Sequence, residues 1–120
     1  MTTCGTDIIE IYRIKDSIER QGLKFLETIY TEKEIEYCES RKLQKYQHYA
    51  VRFAAKEAIY KAISNKVEIP DKWPGFEILR QENGRPYVKL SPGIKEIKSI
   101  DISLSHCKEY AIANVVVDWN

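Results

Sequence analysis

Arg52-Phe53-Ala54-Ala55-Lys56-Glu57-Ala58-Ile59-Tyr60-Lys61-Ala62 lies within a run that reads as one helix from about Leu43 to Ile63, stopping before Asn65. This long helix divides the chain. Upstream, Cys4 to Arg13 reads as a strand, with Ile8, Ile9, Ile11 and Tyr12 supplying β-branched and aromatic bulk. A short helix follows from about Lys15 to Arg20 and ends near Gly22. Thr31-Glu32-Lys33-Glu34 has the form of a capping box, Thr31 as N-cap and Glu34 reaching back, and opens a helix to about Ser40. Downstream, Phe76–Arg80 and Pro86–Leu90 read as strands joined at Glu82-Asn83-Gly84. Pro92 to Lys98 is expected to form a helical turn. Ile100–Leu104 and Tyr110–Val117 give two more strands, joined through Ser105–Glu109. Helices early and strands late predict an α+β fold, a mostly antiparallel sheet packed against a long central helix. A chain of 120 residues is read as one domain, 1–120.

Composition narrows the function. Lys and Arg number 19 against 18 Asp and Glu, a net +1 divided evenly between the halves, which argues against a general nucleic-acid or membrane-surface binder. No apolar run approaches the roughly 20 residues of a membrane span. Met1 to Asp7 meets an acid before any base, unlike a signal peptide. Cys4, Cys38 and Cys107 form no close pair, so reduced cytosolic thiols are expected rather than zinc or disulfides. So short a chain has a modest core, and a second copy is a plausible way to complete a pocket.

On a helical wheel, Arg41, Lys45, His48, Arg52 and Lys56 fall in one stripe about 80° wide, with no acid between Arg41 and Lys56. Such a stripe is most often a solvated face, and otherwise a docking surface for an anion or acidic partner. Glu57 lies in a different sector, with Tyr46, Ala50, Phe53 and Lys61. A carboxylate in so apolar a sector needs a positive partner, either Lys61 one turn on or a divalent cation. Asp7, between Thr6 and Ile8-Ile9 on a strand, raises the same question. Two such carboxylates brought together beside a lysine would suit Mg²⁺, which takes one or two carboxylates, waters and substrate phosphates. Ser103-Leu104-Ser105-His106 ends a strand, where functional side chains commonly project, although a lone histidine is more often structural. No Walker loop, Rossmann fingerprint, H-E-x-x-H or G-x-S-x-G elbow is present.

Four ordered blocks carry a resemblance that spans nearly the whole chain. They are Gly5-Thr6-Asp7-Ile8-Ile9-Glu10-Ile11 with Arg13, Thr31–Glu34, Arg52–Ala58 with Lys61-Ala62, and Asn83-Gly84-Arg85-Pro86 with Ser103–His106. The sequence resembles the holo-acyl-carrier-protein synthases, the short bacterial branch of the 4'-phosphopantetheinyl transferases. The resemblance implies transfer of the phosphopantetheine arm of coenzyme A to a serine of an apo-acyl carrier protein, a step in fatty-acid or polyketide synthesis. It also implies Mg²⁺ held by Asp7 and Glu57, and a cytoplasmic homotrimer with coenzyme A in clefts between subunits. Lys61 falls where the family has a lysine near the phosphates. Arg52, Ser105 and His106 belong to blocks expected to line the coenzyme A cleft. Arg13, with Arg20 and Lys24 after it, resembles the surface that receives the acidic carrier. Either Glu57 or a metal-associated water would take the serine proton.

The chain departs from the family pattern twice. Ile63-Ser64-Asn65-Lys66-Val67 stands where relatives have a glycine-rich loop, and Thr6 replaces an aliphatic residue. The alternative expectation is therefore a non-catalytic carrier-protein or nucleotide binding module of the same fold. A nucleic-acid binder using Arg41 to Lys56 is the poorest reading.

Overall fold

A computed structural model describes residues 1–69, 73–90 and 93–120. In chain order the elements are β1 (Thr2–Glu10), α1 (Ile11–Gln21), α2 (Leu23–Ile29), α3 (Glu32–Ser40) and α4 (Lys45–Ile63). Then come β2 (Phe76–Arg80), β3 (Pro86–Leu90), β4 (Ile97–His106) and β5 (Tyr110–Trp119). One 3-10 turn at Lys42–Gln44 leads into α4. The strands form two antiparallel sheets, β1-β5-β4 and the hairpin β2-β3, rather than one. The α+β architecture with a long helix on antiparallel strands is otherwise as expected.

The central strand explains how helix and sheet meet. Along β5, Ala111, Ala113, Val115, Val117 and Trp119 are buried and alternate with less buried neighbours, the period of a sheet covered on one face. Facing them, α4 presents Ala54, Ala55, Ala58 and Ala62, all buried. Small residues on both sides bring the backbones close. A Cβ on Gly5 of β1 would lie 2.0 Å from the Ala58 carbonyl oxygen, so only glycine fits there. One step along, Thr3 Oγ1 donates to the Ala62 carbonyl (2.7 Å) and accepts from Trp119 Nε1 (2.8 Å). Ile59, Ile63, Phe76 and Ile78 fill the rest of this core, each stabilising by about 1.5–3 kcal/mol on burial.

The N-terminal helices make a second core on the other side of α4. β1 ends at Glu10, not Arg13, because Ile11, Ile14 and Ile18 recur at helical spacing and are all buried. The Ile11 amide donates to the Glu109 carbonyl (2.9 Å), which turns the chain from strand to helix. Arg13 therefore sits on a helix. The sequence reading also lacked α2, a separate helix set off by Gly22 at φ 60°. The capping box is present: the Glu34 amide donates to Thr31 Oγ1, and the Thr31 amide donates to Glu34 Oε1 (2.8 Å).

Glu34 does more than cap. Both it and Lys56 are essentially inaccessible, and Lys56 Nζ donates to Glu34 Oε1 at 2.7 Å. Lys56 also donates to the Ile29 and Trp73 carbonyls (2.9 Å each), while Glu34 Oε2 accepts from the Ile78 amide (2.8 Å). One pair thus joins α2, α3, α4, β2 and the segment after α4. Burial draws the Lys56 pKa down against the pull of Glu34.

Of the helical turn expected at Pro92–Lys98, Pro92 lies outside the described residues. Gly93 to Glu96 contains only a turn, and Ile97 and Lys98 already belong to β4.

Candidate functional site

Two clusters of charged side chains flank α4, one on each side. The first is at the seam between β1 and α4. Asp7 follows Gly5 by two residues, so the strand places both on the face turned to the helix. Glu57 precedes Ala58, against which Gly5 packs. The close approach thus brings the backbone segments that carry Asp7 and Glu57 together. Lys61 Nζ donates to Asp7 Oδ1 (3.1 Å) and to the Thr6 carbonyl (3.0 Å), with about half its side chain still in solvent. The lysine offered to Glu57 by sequence spacing therefore bonds Asp7 from across the seam. Glu57 is half-buried. Among the described residues, no three His, Cys, Asp or Glu side chains gather as a metal cage.

The second cluster corrects the reading of the basic stripe. It is neither a solvated face nor a continuous docking surface, because its five members turn to three different partners. Lys56 is inside the core with Glu34, and Lys45 pairs with Glu39 (3.2 Å). Arg41, His48 and Arg52 instead gather around Tyr37 of α3. Beside them opens a cleft of about 300 Å³ whose polar lining includes His48, Arg52, Arg80, Arg85, Ser103 and His106. It unites α4, the β2-β3 hairpin and the end of β4, which brings the Asn83–Pro86 and Ser103–His106 blocks together as their pairing in one motif implied. Gly84, at φ 88°, gives the hairpin a conformation that side chains disfavour and places Arg85 on the rim.

The cleft is strongly positive. Burial, then Arg52, Arg41, His106 and Arg80, push the His48 imidazole down to about 4, so it is neutral near pH 7. Arg85 Nη2 is paired with Asp101 Oδ1 (2.7 Å), but none of the described carboxylates forms an ion pair with Arg52 or Arg80. Arg52 is 2% exposed, and its Nε has no hydrogen-bond acceptor among the described residues. A cleft in which Arg52 and Arg80 lack a paired carboxylate among the described residues is suited to an anion.

The remaining expected residues divide. Ser105 is exposed and does not line the cleft, where Ser103 stands instead. Arg13 and Arg20 line a shallow groove on α1 with Tyr12, Phe25 and Phe53, although Arg20 is tied to Asp16 (3.0 Å). Lys24 is exposed on α2, outside that groove. Burial pushes the Cys38 thiol up to about 12, against the opposing pull of Arg52, which leaves it unsuited to nucleophilic work. Sequence reasoning missed Tyr37 and Arg80. Arg80 carried no local signal, and Tyr37 looked like one more helix aromatic. The segment after α4 needs no glycine for its conformation. The Ser64 amide donates to the Tyr60 carbonyl (2.9 Å) and the Val67 amide to Ile63 (3.2 Å), prolonging the helical pattern. The only non-glycine residue at positive φ among those described is Lys42.

The sequence model of the 4'-phosphopantetheinyl transferase superfamily matches residues 3–115. A holo-[acyl-carrier-protein] synthase of Ruminiclostridium cellulolyticum is 50% identical over 119 residues, covering 94% of this chain and 89% of that protein. Among solved structures, a holo-(acyl-carrier-protein) synthase from Bacillus anthracis in complex with CoA (3',5'-ADP) superposes with a TM-score of 0.83 at 32% identity. That match covers 98% of this chain and 96% of the other. The Helicobacter pylori holo-[acyl-carrier-protein] synthase in complex with coenzyme A gives a TM-score of 0.81 at 33% identity, covering 96% and 99%. With the family model matching residues 3–115, and sequence and fold similarity to its members over almost the full length, this chain belongs to the 4'-phosphopantetheinyl transferase superfamily.

Proposed function

We propose that the chain, as one domain over residues 1–120, is a holo-[acyl-carrier-protein] synthase. It transfers the 4'-phosphopantetheine arm of coenzyme A to a serine of an apo-acyl carrier protein. The serine Oγ forms a new bond to the β-phosphorus, and the bond from that phosphorus to the bridging oxygen breaks. Adenosine 3',5'-bisphosphate leaves with the electron pair. The serine proton passes to a base, and Glu57 or a water beside it is the candidate.

The observation that carries this reading is the placement of two complementary clusters along α4. Coenzyme A has two anionic parts, a pyrophosphate and a 3'-phosphate. Asp7, Glu57 and Lys61 form a seam suited to the first, and the Arg52–His106 cleft suits the second. Asp7 and Glu57 are the residues that would hold Mg²⁺, an ion that takes one or two carboxylates together with waters and phosphate oxygens. When bound, that ion supplies charge stabilisation at the pyrophosphate oxygens. Lys61, already directed into the seam, adds a positive charge there. The protein's contribution is otherwise positioning, as in phosphoryl transfer generally.

The two clusters also support an oligomer. Nine residues at 1.5 Å and 100° each put Arg52 and Lys61 about 13.5 Å apart on opposite sides of α4. One coenzyme A bridging both kinds of cluster is best served by two copies, each contributing one side. Opposite α4, the outer sheet face exposes Ile8, Ile112 and Val116, an apolar surface suited to contacts within a homotrimer. The α1 groove with Arg13, flanked by Arg20 and Lys24, is the proposed landing surface for the acidic carrier. No helix among the described residues is long and apolar enough to cross a membrane, and fatty-acid synthesis in the cytoplasm is the proposed setting.

Intact-mass spectrometry of an apo-acyl carrier protein incubated with the protein, coenzyme A and Mg²⁺, beside an EDTA control, tests the proposal. A gain of one phosphopantetheine arm, lost with EDTA, is expected. Carrier binding without any gain would point instead to a non-catalytic binding module.

A further inference from the structure

Tyr37 belongs to none of the quoted motif blocks, yet the cations around the cleft converge on it. Its ring centroid lies 4.5 Å from the Arg52 guanidinium, 5.6 Å from that of Arg80 and 5.9 Å from that of Arg41. The His48 ring meets it edge-on at 5.4 Å and 81°. The Tyr37 hydroxyl accepts from Arg80 Nη1 (3.1 Å). Three guanidiniums this close repel one another. No described carboxylate forms an ion pair with any of the three to offset it. What faces them is the negative π surface of one tyrosine and the oxygen at its end.

Arg52 needs this most. It is nearly inaccessible, its Nη1 donates to the His48 carbonyl (3.2 Å), and its Nε has no acceptor among the described residues. A buried, partly unsatisfied guanidinium is costly unless something else stabilises the charge. The ring at 4.5 Å does so without filling the cleft with an anion. A carboxylate in that place would neutralise the arginines and compete with a ligand. A π face holds them in position and leaves their charge available.

We propose that Tyr37 is a positioning residue for anion recognition, holding Arg52 by its ring and Arg80 by its hydroxyl so that both face a phosphomonoester in the cleft. This deepens the transferase reading and rests on its assignment of the cleft to the 3'-phosphate of coenzyme A.

Calorimetric titration of the full-length protein with coenzyme A and with 3'-dephospho-coenzyme A tests it. Tyr37→Leu removes ring and hydroxyl together, and is expected to weaken coenzyme A binding about tenfold. Tyr37→Phe keeps the ring and loses only the bond to Arg80, for an expected loss of about threefold. Neither variant should weaken 3'-dephospho-coenzyme A comparably, which a merely structural role would not predict. Thermal melts identify any variant that fails to fold, and Tyr37→Phe then carries the test. The proposal is overturned if the folded variants bind coenzyme A as tightly as wild type, or lose equally for both ligands. It is also overturned if the wild type does not discriminate between the ligands. A selective loss in a protein that never modifies a carrier would sink the transferase reading and leave this inference standing.

Discussion

Two of the three lysines on α4, Lys56 and Lys61, stand five residues apart, each bonded to a carboxylate from another element, and they do opposite work. The Lys56–Glu34 pair is closed. Both side chains are fully buried, Lys56 has three oxygen acceptors, and both Glu34 oxygens accept amides or the ammonium. The Lys61–Asp7 pair is open. Its side chains keep 51% and 17% of their exposure, and among the described residues the lysine shares its charge with one carboxylate and one carbonyl. Saturation distinguishes a charge used to specify a fold from one held ready for a ligand. A closed pair has nothing left to offer an incoming group, whereas an open one can exchange a protein contact for a phosphate.

The largest expected effect lies on the open side. Glu57→Ala or Asp7→Ala should lower phosphopantetheine transfer by about 10³-fold, since either removes half of the carboxylate pair proposed to hold the metal. Neither carboxylate belongs to the buried Lys56–Glu34 network, and Lys61 stays half in solvent, so the fold should survive, with stability changed by about 1 kcal/mol. Carrier mass spectrometry reads the first quantity and urea unfolding the second. Full turnover by Glu57→Ala would remove the metal-site assignment.

On the closed side the sign of the comparison reverses. Lys56→Met leaves Glu34 buried without its cation and should cost about 3–5 kcal/mol of stability. Lys61→Met, on the same helix but half in solvent, should cost under about 1 kcal/mol. Urea midpoints of the two variants give the contrast directly. Adding Glu34→Gln to Lys56→Met should recover part of the loss, because the stranded charge is then gone. Equal midpoints for the two lysine variants would break the distinction between closed and open pairs.

The same distinction explains what could be read from sequence. The capping box, hairpin and alternating β5 strand follow local rules, and each appears where those rules put it. Asp7 and Glu57 stood out because a carboxylate among apolar neighbours needs a partner, and Gly5 on Ala58 brings their segments together. The basic stripe misled because a helical wheel gives direction but not what packs there. Lys56 was counted with the surface cations, although Glu34, 22 residues earlier in another helix, draws it inside. The end of β1 was misplaced for a similar reason, since Ile11 suits a strand or a helix and only Ile14 and Ile18 decide. Arg80 and Tyr37 were invisible, because their meaning comes from a convergence of α3, α4 and β2 that no single stretch records.

Between the closed and open pairs stands the Arg52 cleft, with cations and no described carboxylate paired to its buried arginine, and it should show the smallest effect. His48, the titrating group in its wall, is held down to about 4 by burial and by Arg52, Arg41, His106 and Arg80. In the unfolded chain a histidine titrates near the ordinary 6.5. Between these values the unfolded state binds a proton that the folded state refuses, so stability rises with pH across that window and is lost as pH falls from about 6.5 to about 4. His48→Phe removes the group and should flatten that part of the stability profile, measured by urea unfolding at a series of pH values. Adenosine 3',5'-bisphosphate should act in the same direction, because a phosphate dianion in the cleft offsets the arginines and lets His48 accept its proton at higher pH. An unchanged slope in the variant would mean that neither burial nor the cleft's positive field holds His48 below its ordinary value, and the contrast between this cleft and the two lysine pairs would lose its third member.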